Sequence, residues 1–261
     1  MDIPESRMES DQAGSELTHA GYRRIAVCEK TQWVKHQFDA VARQYDTMNT
    51  LLSFGVHHLW KRAAIRMLNL QSGETVLDVC GGTGDLAVLA AKHVGTAGRV
   101  ALFDINREMM RAGKQSTKNA ALREKIDYVQ GNAEIISFPD NVFDAVTVGF
   151  GIRNLTHMEK GFIEMLRVLK PGGRMVCLEF SRPVFPVFKF LYDIYSFHIM
   201  PAIGERITGS REAYTYLPES IRLFPLPDRL AHILSSIGFT DVTYQRLTNG
   251  VAAAHLGIKP F

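Results

Sequence analysis

The stretch Val-Leu-Asp-Val-Cys-Gly-Gly-Thr-Gly-Asp-Leu, residues 76–86, decides the fold of this chain. Its first residues form an apolar run that predicts a buried strand, and its glycines allow a turn too tight for side chains. A helical pattern follows directly. Such a turn between a strand and a helix lets a ligand approach bare backbone beside the N–H groups at the start of the helix. The stretch therefore predicts a nucleotide-type cofactor site at Gly82 and Gly84.

Two acidic residues favour S-adenosylmethionine over a nicotinamide dinucleotide as the ligand of this site. Taken alone, Gly82, Gly84 and Ala87 also fit the G-x-G-x-x-A fingerprint of dinucleotide-binding domains. Asp78 favours S-adenosylmethionine, because a carboxylate on the strand can face its cationic amine, directly or through water, and would repel a pyrophosphate. Asp104, at the end of the next apolar strand, can accept hydrogen bonds from both ribose hydroxyls.

The composition is that of one α/β domain. The chain has 261 residues, 46% of them hydrophobic, which suits a single well-packed domain with an elaborated active-site cover. Its net charge of +3 comes from interspersed basic and acidic residues, so nucleic acid is not expected as a partner. Its three cysteines are widely spaced, which is typical of reduced thiols in the cytoplasm and predicts neither a disulfide framework nor a metal site.

Strand and helix patterns alternate from Glu74 onward and predict a mostly parallel sheet with helices on both faces. The predicted strands cover residues 74–80, 99–104, 126–130, 143–149 and 174–180, and the predicted helices cover 84–94, 106–118 and 158–169. A helix at 226–237 and strands at 240–247 and 251–258 follow, with a hairpin signal between the two strands. This order predicts a seven-stranded sheet that ends in an antiparallel hairpin, the Rossmann-like α/β fold of class I methyltransferases.

The remaining segments are expected to serve this domain. Residues 1–30 are predicted to be a flexible tail, because their beginning is polar and has no secretion-signal pattern. Residues 31–261 form the single domain, with a helical cap over 31–70 and a substrate-cover insertion over 181–225. The part from 181 to 218 is apolar and interrupted by prolines, which predicts an irregular, mobile cover whose exposed face can rest on a membrane surface. No run has the length of a membrane-spanning helix.

Several long strings resemble the ubiquinone/menaquinone biosynthesis C-methyltransferases. The resemblance runs from about residue 41 to residue 259. The strings are Tyr-Asp-Thr-Met-Asn (45–49), Ser-Phe-Gly-Val-His (53–57), Leu-Trp-Lys-Arg (59–62), Gly-Gly-Thr-Gly-Asp-Leu (81–86), Gly-Phe-Gly-Ile-Arg-Asn (149–154), Leu-Glu-Phe-Ser (178–181) and Tyr-Leu-Pro-Glu-Ser-Ile (216–221). Together they are far more specific than a glycine turn.

The resemblance implies transfer of a methyl group from S-adenosylmethionine to a ring carbon of a prenylated hydroquinone. That acceptor is a demethylmenaquinol, a methoxy-polyprenyl-benzoquinol, or both. Carried over by position, the cofactor contacts are Thr83, Asp104, Asn132 and Ala133, with Gly149 where relatives can have serine. The residue types agree, because an amide and a small side chain after the third strand can meet the edge and the face of an adenine.

The catalytic residues are expected at the carboxyl ends of the strands. Methyl transfer to carbon is an in-line displacement, so the protein has to align the reactants and raise the electron density of the ring, which ionising a ring hydroxyl achieves. Arg153 is a poor base, but its charge can stabilise the phenolate, with Asn154 donating a hydrogen bond. Alternatively, Arg153 pairs with a carboxylate that pins its loop.

A proton acceptor is also needed. The candidates are His57, Tyr45, His198 and Glu179, and histidine is favoured because it titrates near neutral pH. Other functions stay open: a methyltransferase for another small aromatic or amine, an inactive S-adenosylmethionine-binding protein, and a nicotinamide-dependent oxidoreductase, which Asp78 disfavours. The residues choose neither the acceptor ring nor the tail length, and they leave a homo-oligomer open.

Overall fold

A computed structural model describes residues 16–116 and 119–261, which contain two sheets. The first is a hairpin of β1 (Leu17–Ala20) and β2 (Arg23–Ala26). The second has seven strands, which are β3 (Thr75–Val79), β4 (Arg99–Asp104), β5 (Ile126–Gln130), β6 (Phe143–Gly149), β7 (Leu169–Phe180), β8 (Thr240–Leu247) and β9 (Ala252–Ile258). Their order is β5-β4-β3-β6-β7-β9-β8. All neighbours up to β7 are parallel, and β9 is antiparallel to both β7 and β8, so the predicted fold is confirmed.

Helices precede the sheet, connect its strands and cover its end. They are α1 (Val27–Val41), α2 (Tyr45–Leu52), α3 (His57–Met67), α4 (Asp85–Val94), α5 (Arg107–Gln115), α6 (Ala120–Arg123), α7 (Met158–Val168), α8 (Pro186–Ile194), α9 (Met200–Thr208), α10 (Arg211–Leu223) and α11 (Pro227–Ile237). Short 3₁₀ turns cover Ile152–Asn154 and Thr248–Gly250, and a π-helical turn covers Tyr195–Ile199. The helix predicted over 106–118 ends at Gln115, and residues 117 and 118 lie outside the described part.

The apolar strands separate two cores because successive side chains of a strand point to opposite faces. On β3, Val76 enters one core, and Leu77 and Val79 enter the other. On β4, Leu102 and Phe103 divide in the same way. The first core also contains residues of α3 and α4, and the second contains residues of α7 and α11. Both faces of the sheet are therefore covered, which explains the buried apolar runs of its central strands β3, β4 and β6.

The tail predicted over residues 1–30 is corrected for its described part. Residues 1–15 lie outside the description, but β1 and β2 pair with each other, and α1 already begins at Val27. Gly21 makes the turn between the two strands with a φ of +64°. The hairpin packs against α10, where the carboxylate of Glu219 accepts a hydrogen bond from the backbone N–H of Tyr22 at 3.0 Å. The polar composition of the first residues therefore led to a predicted tail that is too long.

The irregular cover predicted over residues 181–218 is also corrected, because most of it is helical. The helix α8, the π-helical turn and α9 follow one another without a break, and α10 begins two residues after α9. Pro186 lies in the first turn of α8, where its missing N–H group is not needed, and Pro201 directly follows the π-helical turn, where the regular α-helical bonding is already interrupted. Within the described part of the chain, no helix is both long and apolar enough to cross a bilayer.

Candidate active site

Two cavities meet at the carboxyl ends of the parallel strands, where open α/β sheets bind ligands. The larger, of about 400 Å³, is lined mostly by aromatic and aliphatic side chains of α1, α2, α8 and α10 and of the loops between them. The smaller, of about 90 Å³, lies against the glycine turn. Phe38, Tyr45 and Phe150 line both cavities, so these rings are a shared part of the two walls.

The smaller cavity is lined by five of the predicted cofactor residues, which are Gly82, Asp104, Asn132, Ala133 and Gly149. The carboxylate of Asp104 accepts hydrogen bonds from the backbone N–H of Gly82 at 2.8 Å and from that of Asn106 at 2.7 Å. These bonds fix the carboxylate against the turn and leave each oxygen a second lone pair for a ligand hydroxyl. Burial raises the pKa of Asp104 to about 6.

Asp78 does not line this cavity. Its carboxylate lies beneath the turn, where it accepts a hydrogen bond from the Thr147 hydroxyl at 2.6 Å and another from the backbone N–H of Ala87 at 3.0 Å. Burial raises the pKa of Asp78 to about 7. The Asp78 carboxylate thus holds the start of α4. Its contact with the amine of a ligand stays a prediction.

Thr83 and Gly84 also lie away from the cavity wall. The Thr83 hydroxyl donates a hydrogen bond to the Asp46 carboxylate at 2.6 Å, which ties the turn to α2. Gly84 has a φ of +85° and immediately precedes α4. This left-handed conformation favours glycine, so the residue shapes the turn through its backbone.

Two residues near the cavity have backbones that side-chain-bearing residues adopt rarely. Cys80 and Phe150 have φ values of +53° and +59°, just beyond the ends of β3 and β6, and both line the smaller cavity. Such conformations are associated with functional sites, where surrounding contacts hold them. Gly151 lies against the Cys80 side chain, where a Cβ would collide with it. The sequence carried no signal for either strained residue beyond the small residue at 151.

Arg153 pairs with a carboxylate, one of the two roles considered for it, and its role toward a phenolate stays a prediction. It lines the larger cavity, and its Nη1 donates to Glu179 Oε1 at 2.7 Å and to the carbonyl oxygen of Phe150. Its Nε donates to the Ser220 hydroxyl at 3.3 Å. Burial raises the pKa of Glu179, and the guanidinium opposes that shift. The guanidinium therefore pins the loop and places a positive charge on the cavity wall.

Asn154 lies on the cofactor side. It lines the smaller cavity, its Oδ1 accepts a hydrogen bond from the Tyr216 hydroxyl at 2.9 Å, and its Nδ2 donates to the Phe150 carbonyl at 3.4 Å. The amide links α10 to the loop after β6. A direct bond from Asn154 to a ring oxygen stays a prediction.

Tyr45 stands between the two cavities. Burial raises its pKa, although the cations Lys61 and Arg153 oppose the shift. A phenol with a raised pKa stays protonated at neutral pH, so it can donate a hydrogen bond to a ligand in either cavity but is a poor proton acceptor. This argues against Tyr45 as the base.

His57 lines the larger cavity and is 3% exposed. Its Nδ1 lies 2.6 Å from the Ser53 hydroxyl oxygen, which itself donates to the Asn49 carbonyl at 2.6 Å. Because a hydroxyl has one proton and a carbonyl has none, Nδ1 must carry the proton of the first bond. The lone pair of the neutral imidazole is therefore on Nε2. The other candidate histidine, His198, is exposed and lines neither cavity.

Sequence reasoning missed Lys61, although it lies in one of the quoted strings. Its ammonium lies 2.7 Å from Asp85, and its side chain is 9% exposed and lines the larger cavity. Asp85 also gathers with His57 and His58, whose side chains have potential ligand atoms within 4.8 Å of one another. Spacing could not reveal this cluster, because α3 and α4 come together only in the folded chain.

The fold and site define a class of protein. A cavity against a glycine turn, on a sheet of this order, is that of class I S-adenosylmethionine-dependent methyltransferases. The model of the ubiE/COQ5 methyltransferase family matches residues 26–259, and the chain belongs to that family.

Curated relatives agree over nearly the full length. The chain is 46% identical over 244 residues to the ubiquinone/menaquinone biosynthesis C-methyltransferase UbiE of Enterobacter sp. (strain 638). The aligned region covers 94% of this chain and 97% of the relative. The values for the protein of that name from Escherichia fergusonii are the same.

Solved structures share the fold at low identity. A methyltransferase from Aquifex aeolicus has a TM-score of 0.58 at 18% identity, covering 82% of this chain and 97% of its own. The [4+2]-cyclase SpnF has a TM-score of 0.63 at 15% identity, covering 87% of this chain and 95% of its own. At these identities the likeness concerns the fold alone.

Proposed function

We propose that this chain transfers a methyl group from S-adenosylmethionine to a ring carbon of a prenylated hydroquinone in ubiquinone or menaquinone biosynthesis. One observation carries the proposal: a large apolar cavity adjoins the cofactor cavity across the rings of Phe38, Tyr45 and Phe150. The family supplies the reaction type, and the shape and apolar lining of the larger cavity suit a ring with an isoprenoid tail.

The smaller cavity suits the donor. Asp104 offers lone pairs for ribose hydroxyls, Asn132 offers an amide for the adenine edge, and Ala133 and the glycines leave room for flat groups and bare backbone. When bound, S-adenosylmethionine supplies an electrophilic methyl group on a sulfonium. The protein contributes alignment of that group with the acceptor.

The larger cavity supplies the remaining chemistry from its own wall. The Arg153 guanidinium and the Lys61 ammonium stabilise the phenolate, the Tyr45 hydroxyl donates a hydrogen bond, and His57 is the proton acceptor. Within the single domain, residues 31–70 form the cap, and residues 181–225 cover the tail.

We also propose that the enzyme meets its acceptor at a membrane surface. No residue of α8 is buried, and Phe185, Val187 and Phe190 are 65–76% exposed. Phe54 is 81% exposed and held at a φ of +51°, an unusual backbone for a large residue. Because Phe54 also lines the larger cavity, this apolar patch runs into the proposed tail site. A bilayer that contains the prenyl tail is the occupant that fits it. Self-association through the patch is the competing arrangement.

The proposal is tested with the purified chain, S-adenosylmethionine and chemically reduced quinols. One naphthoquinol and one benzoquinol, each with and without a prenyl tail, are offered, and products are identified by mass spectrometry. We expect C-methylation of at least one prenylated quinol and weaker use of its tail-less form. Binding of S-adenosylhomocysteine without methylation of any quinol would contradict the proposal.

A further inference from the structure

The proposed reaction has to release a proton from an enclosed apolar site. The acceptor exchanges a ring C–H bond for a C–CH₃ bond while the sulfonium becomes a neutral thioether, so charge balance requires one proton to leave. Three of the four candidate acceptors are poorly suited. Tyr45 has a raised pKa, Glu179 is ion-paired with Arg153 at 2.7 Å, and His198 lines neither cavity.

His57 has the required position and tautomer. It is buried on the wall of the larger cavity, and its Nδ1–H is committed to the Ser53 hydroxyl at 2.6 Å. The remaining nitrogen, Nε2, is the basic one. A base of this kind is useful for repeated turnover only if its proton can pass onward.

His58 packs against His57 and is the more exposed of the two. The two imidazole rings lie 3.9 Å apart, centroid to centroid. His57 is buried, whereas His58 and Asp85 are both partly exposed, so the cluster runs from the cavity wall outward.

The charges around the cluster favour a passing proton over a bound metal ion. Asp85 is ion-paired with Lys61 at 2.7 Å and lies 3.9 Å from Arg123. Burial alone would raise the pKa of Asp85. The two cations and His58 outweigh it and hold that pKa below its usual range, so the group remains a carboxylate. It can stabilise a transient imidazolium at His58, while the two neighbouring cations repel a divalent ion.

We propose that His57 is the catalytic base of this methyl transfer and that His58, facing the Asp85 carboxylate, is the positioning residue that passes the proton to solvent. This inference rests on the proposed function. His57 Nε2 takes the proton of the ring hydroxyl, the O–H electron pair enters the ring, the ring carbon bonds to the methyl group, and the C–S pair returns to sulfur. Transfer of the ring-carbon proton to the oxygen then restores the aromatic quinol. Once the product has left, Nε2 gives that proton to His58, because Nδ1–H stays bonded to the Ser53 hydroxyl.

Three variants and a matched control test this path in the full chain. H57Q removes the base, H58Q removes the relay, and H58R keeps a positive charge that cannot release a proton at neutral pH. H93Q, on an exposed histidine of α4, is the control. Binding of S-adenosylhomocysteine, followed by calorimetry, verifies that each variant is folded.

We expect H57Q to lower kcat by about 10²-fold or more. H58Q and H58R should lose turnover in dilute buffer and recover it as imidazole is added, while the wild type and H93Q do not respond. Wild-type kcat and an unchanged pH profile in both His58 variants would overturn the relay. So would loss of wild-type activity with a chelator and its return with Zn²⁺. If the wild type methylates no quinol, the proposed function itself fails. If the wild type is active and the His58 variants match it, only the relay fails.

Discussion

Arg153 and Glu179 form a buried ion pair on the wall of an apolar cavity, with side chains that are 5% and 1% exposed. A buried pair is expensive to desolvate and is strongly destabilised when one partner alone is removed. The pair therefore has to be tested as a unit. Its location beside Phe180, whose ring centre lies 5.4 Å from the guanidinium carbon, places the positive charge at the edge of the proposed ring site.

The first prediction concerns this pair. R153M alone leaves the Glu179 carboxylate unpaired and should lower the free energy of unfolding by about 3–5 kcal/mol. R153M/E179Q removes both charges and should restore most of that stability, yet kcat should stay about 10²-fold below wild type because the phenolate loses its cation. Denaturant unfolding and quinol methylation measure the two effects. A fully active double variant would show that the pair only pins its loop.

The second prediction concerns Tyr45. Y45F keeps the ring between the two cavities and removes one hydrogen bond, so kcat should fall by about 2- to 10-fold. The pH profile should keep its shape, because the raised pKa keeps this hydroxyl protonated near neutral pH. Steady-state kinetics across pH provide the measurement. Disappearance of a limb of the wild-type profile in Y45F would instead identify Tyr45 as the base.

At the scale of elements, the helices after β7 help to enclose a cavity beside the sheet that suits a long apolar molecule. Helix α8 contributes Phe188 and Leu191 to the cavity and exposes most of its other apolar residues. Helix α10 contributes Tyr216, which bonds to Asn154, and Ser220, which accepts from Arg153. The first helix lines the larger cavity, and the second helps to fix the polar loop.

The third prediction concerns α8. F185Q/F190Q changes exposed residues that do not line the larger cavity and should abolish sedimentation with phosphatidylcholine vesicles containing some phosphatidylglycerol. Turnover of a long-tailed quinol in these vesicles should fall with it, whereas a water-dispersible short-tailed quinol should be unaffected. I135S is the control, because Ile135 is 74% exposed outside the patch. Unchanged vesicle binding, with a change from dimer to monomer in size-exclusion chromatography, would assign the patch to self-association.

The fourth prediction concerns the start of α10. The Ser210 hydroxyl accepts a hydrogen bond from the backbone N–H of Ala213 at 3.3 Å and caps the helix. S210A should lower the free energy of unfolding by about 1 kcal/mol, and S210N should retain most of it. Denaturant unfolding provides the measurement. Equal losses in both variants would show that the cap does not stabilise α10.

At the scale of the whole molecule, folding buries the two carboxyl groups of Asp78 and Asp104, which disfavours their charged forms. Burial raises the pKa of Asp78 to about 7 and that of Asp104 to about 6, whereas an unfolded aspartate titrates near 3.9. Between these values the folded protein binds more protons than the unfolded chain. The stability that these groups contribute is therefore present at low pH and is lost as pH rises through their folded pKa values.

The fifth prediction follows for ligand binding. A ligand that donates hydrogen bonds to the Asp104 carboxylate favours its ionised form, so binding should release protons and weaken as pH falls below about 6. Calorimetry with S-adenosylhomocysteine, in buffers of different ionisation enthalpy, measures affinity and proton release together. We expect affinity to fall by at most about tenfold per pH unit. An affinity that does not change between about pH 8 and about pH 5 would contradict this role of the carboxylate.

Local pattern was enough to predict most of the sheet. The runs at 126–130, 143–149 and 240–247 are strands with the predicted bounds, because period and apolar content are properties of the nearest residues. Proline positions misled the prediction after β7, because Pro186 lies in the first turn of a helix, Pro201 follows a π-helical turn, and α10 contains Pro218 in its interior. The hairpin at 17–26 was missed because its packing partner lies on α10, as in the bond from Tyr22 to Glu219, 197 residues further along the chain.

Sequence alone predicted the fold and the family, and five of its predicted cofactor residues line the smaller cavity, because the glycine turn and the strand ends are local features that parallel topology brings to one edge. Only the tertiary structure decided the roles of the charged residues. Asp78 supports α4, Arg153 pairs with Glu179, and His57 and His58 meet Asp85, through contacts between different elements of the fold. Charge and proton affinity depend on burial and on spatial neighbours, which residue spacing does not specify.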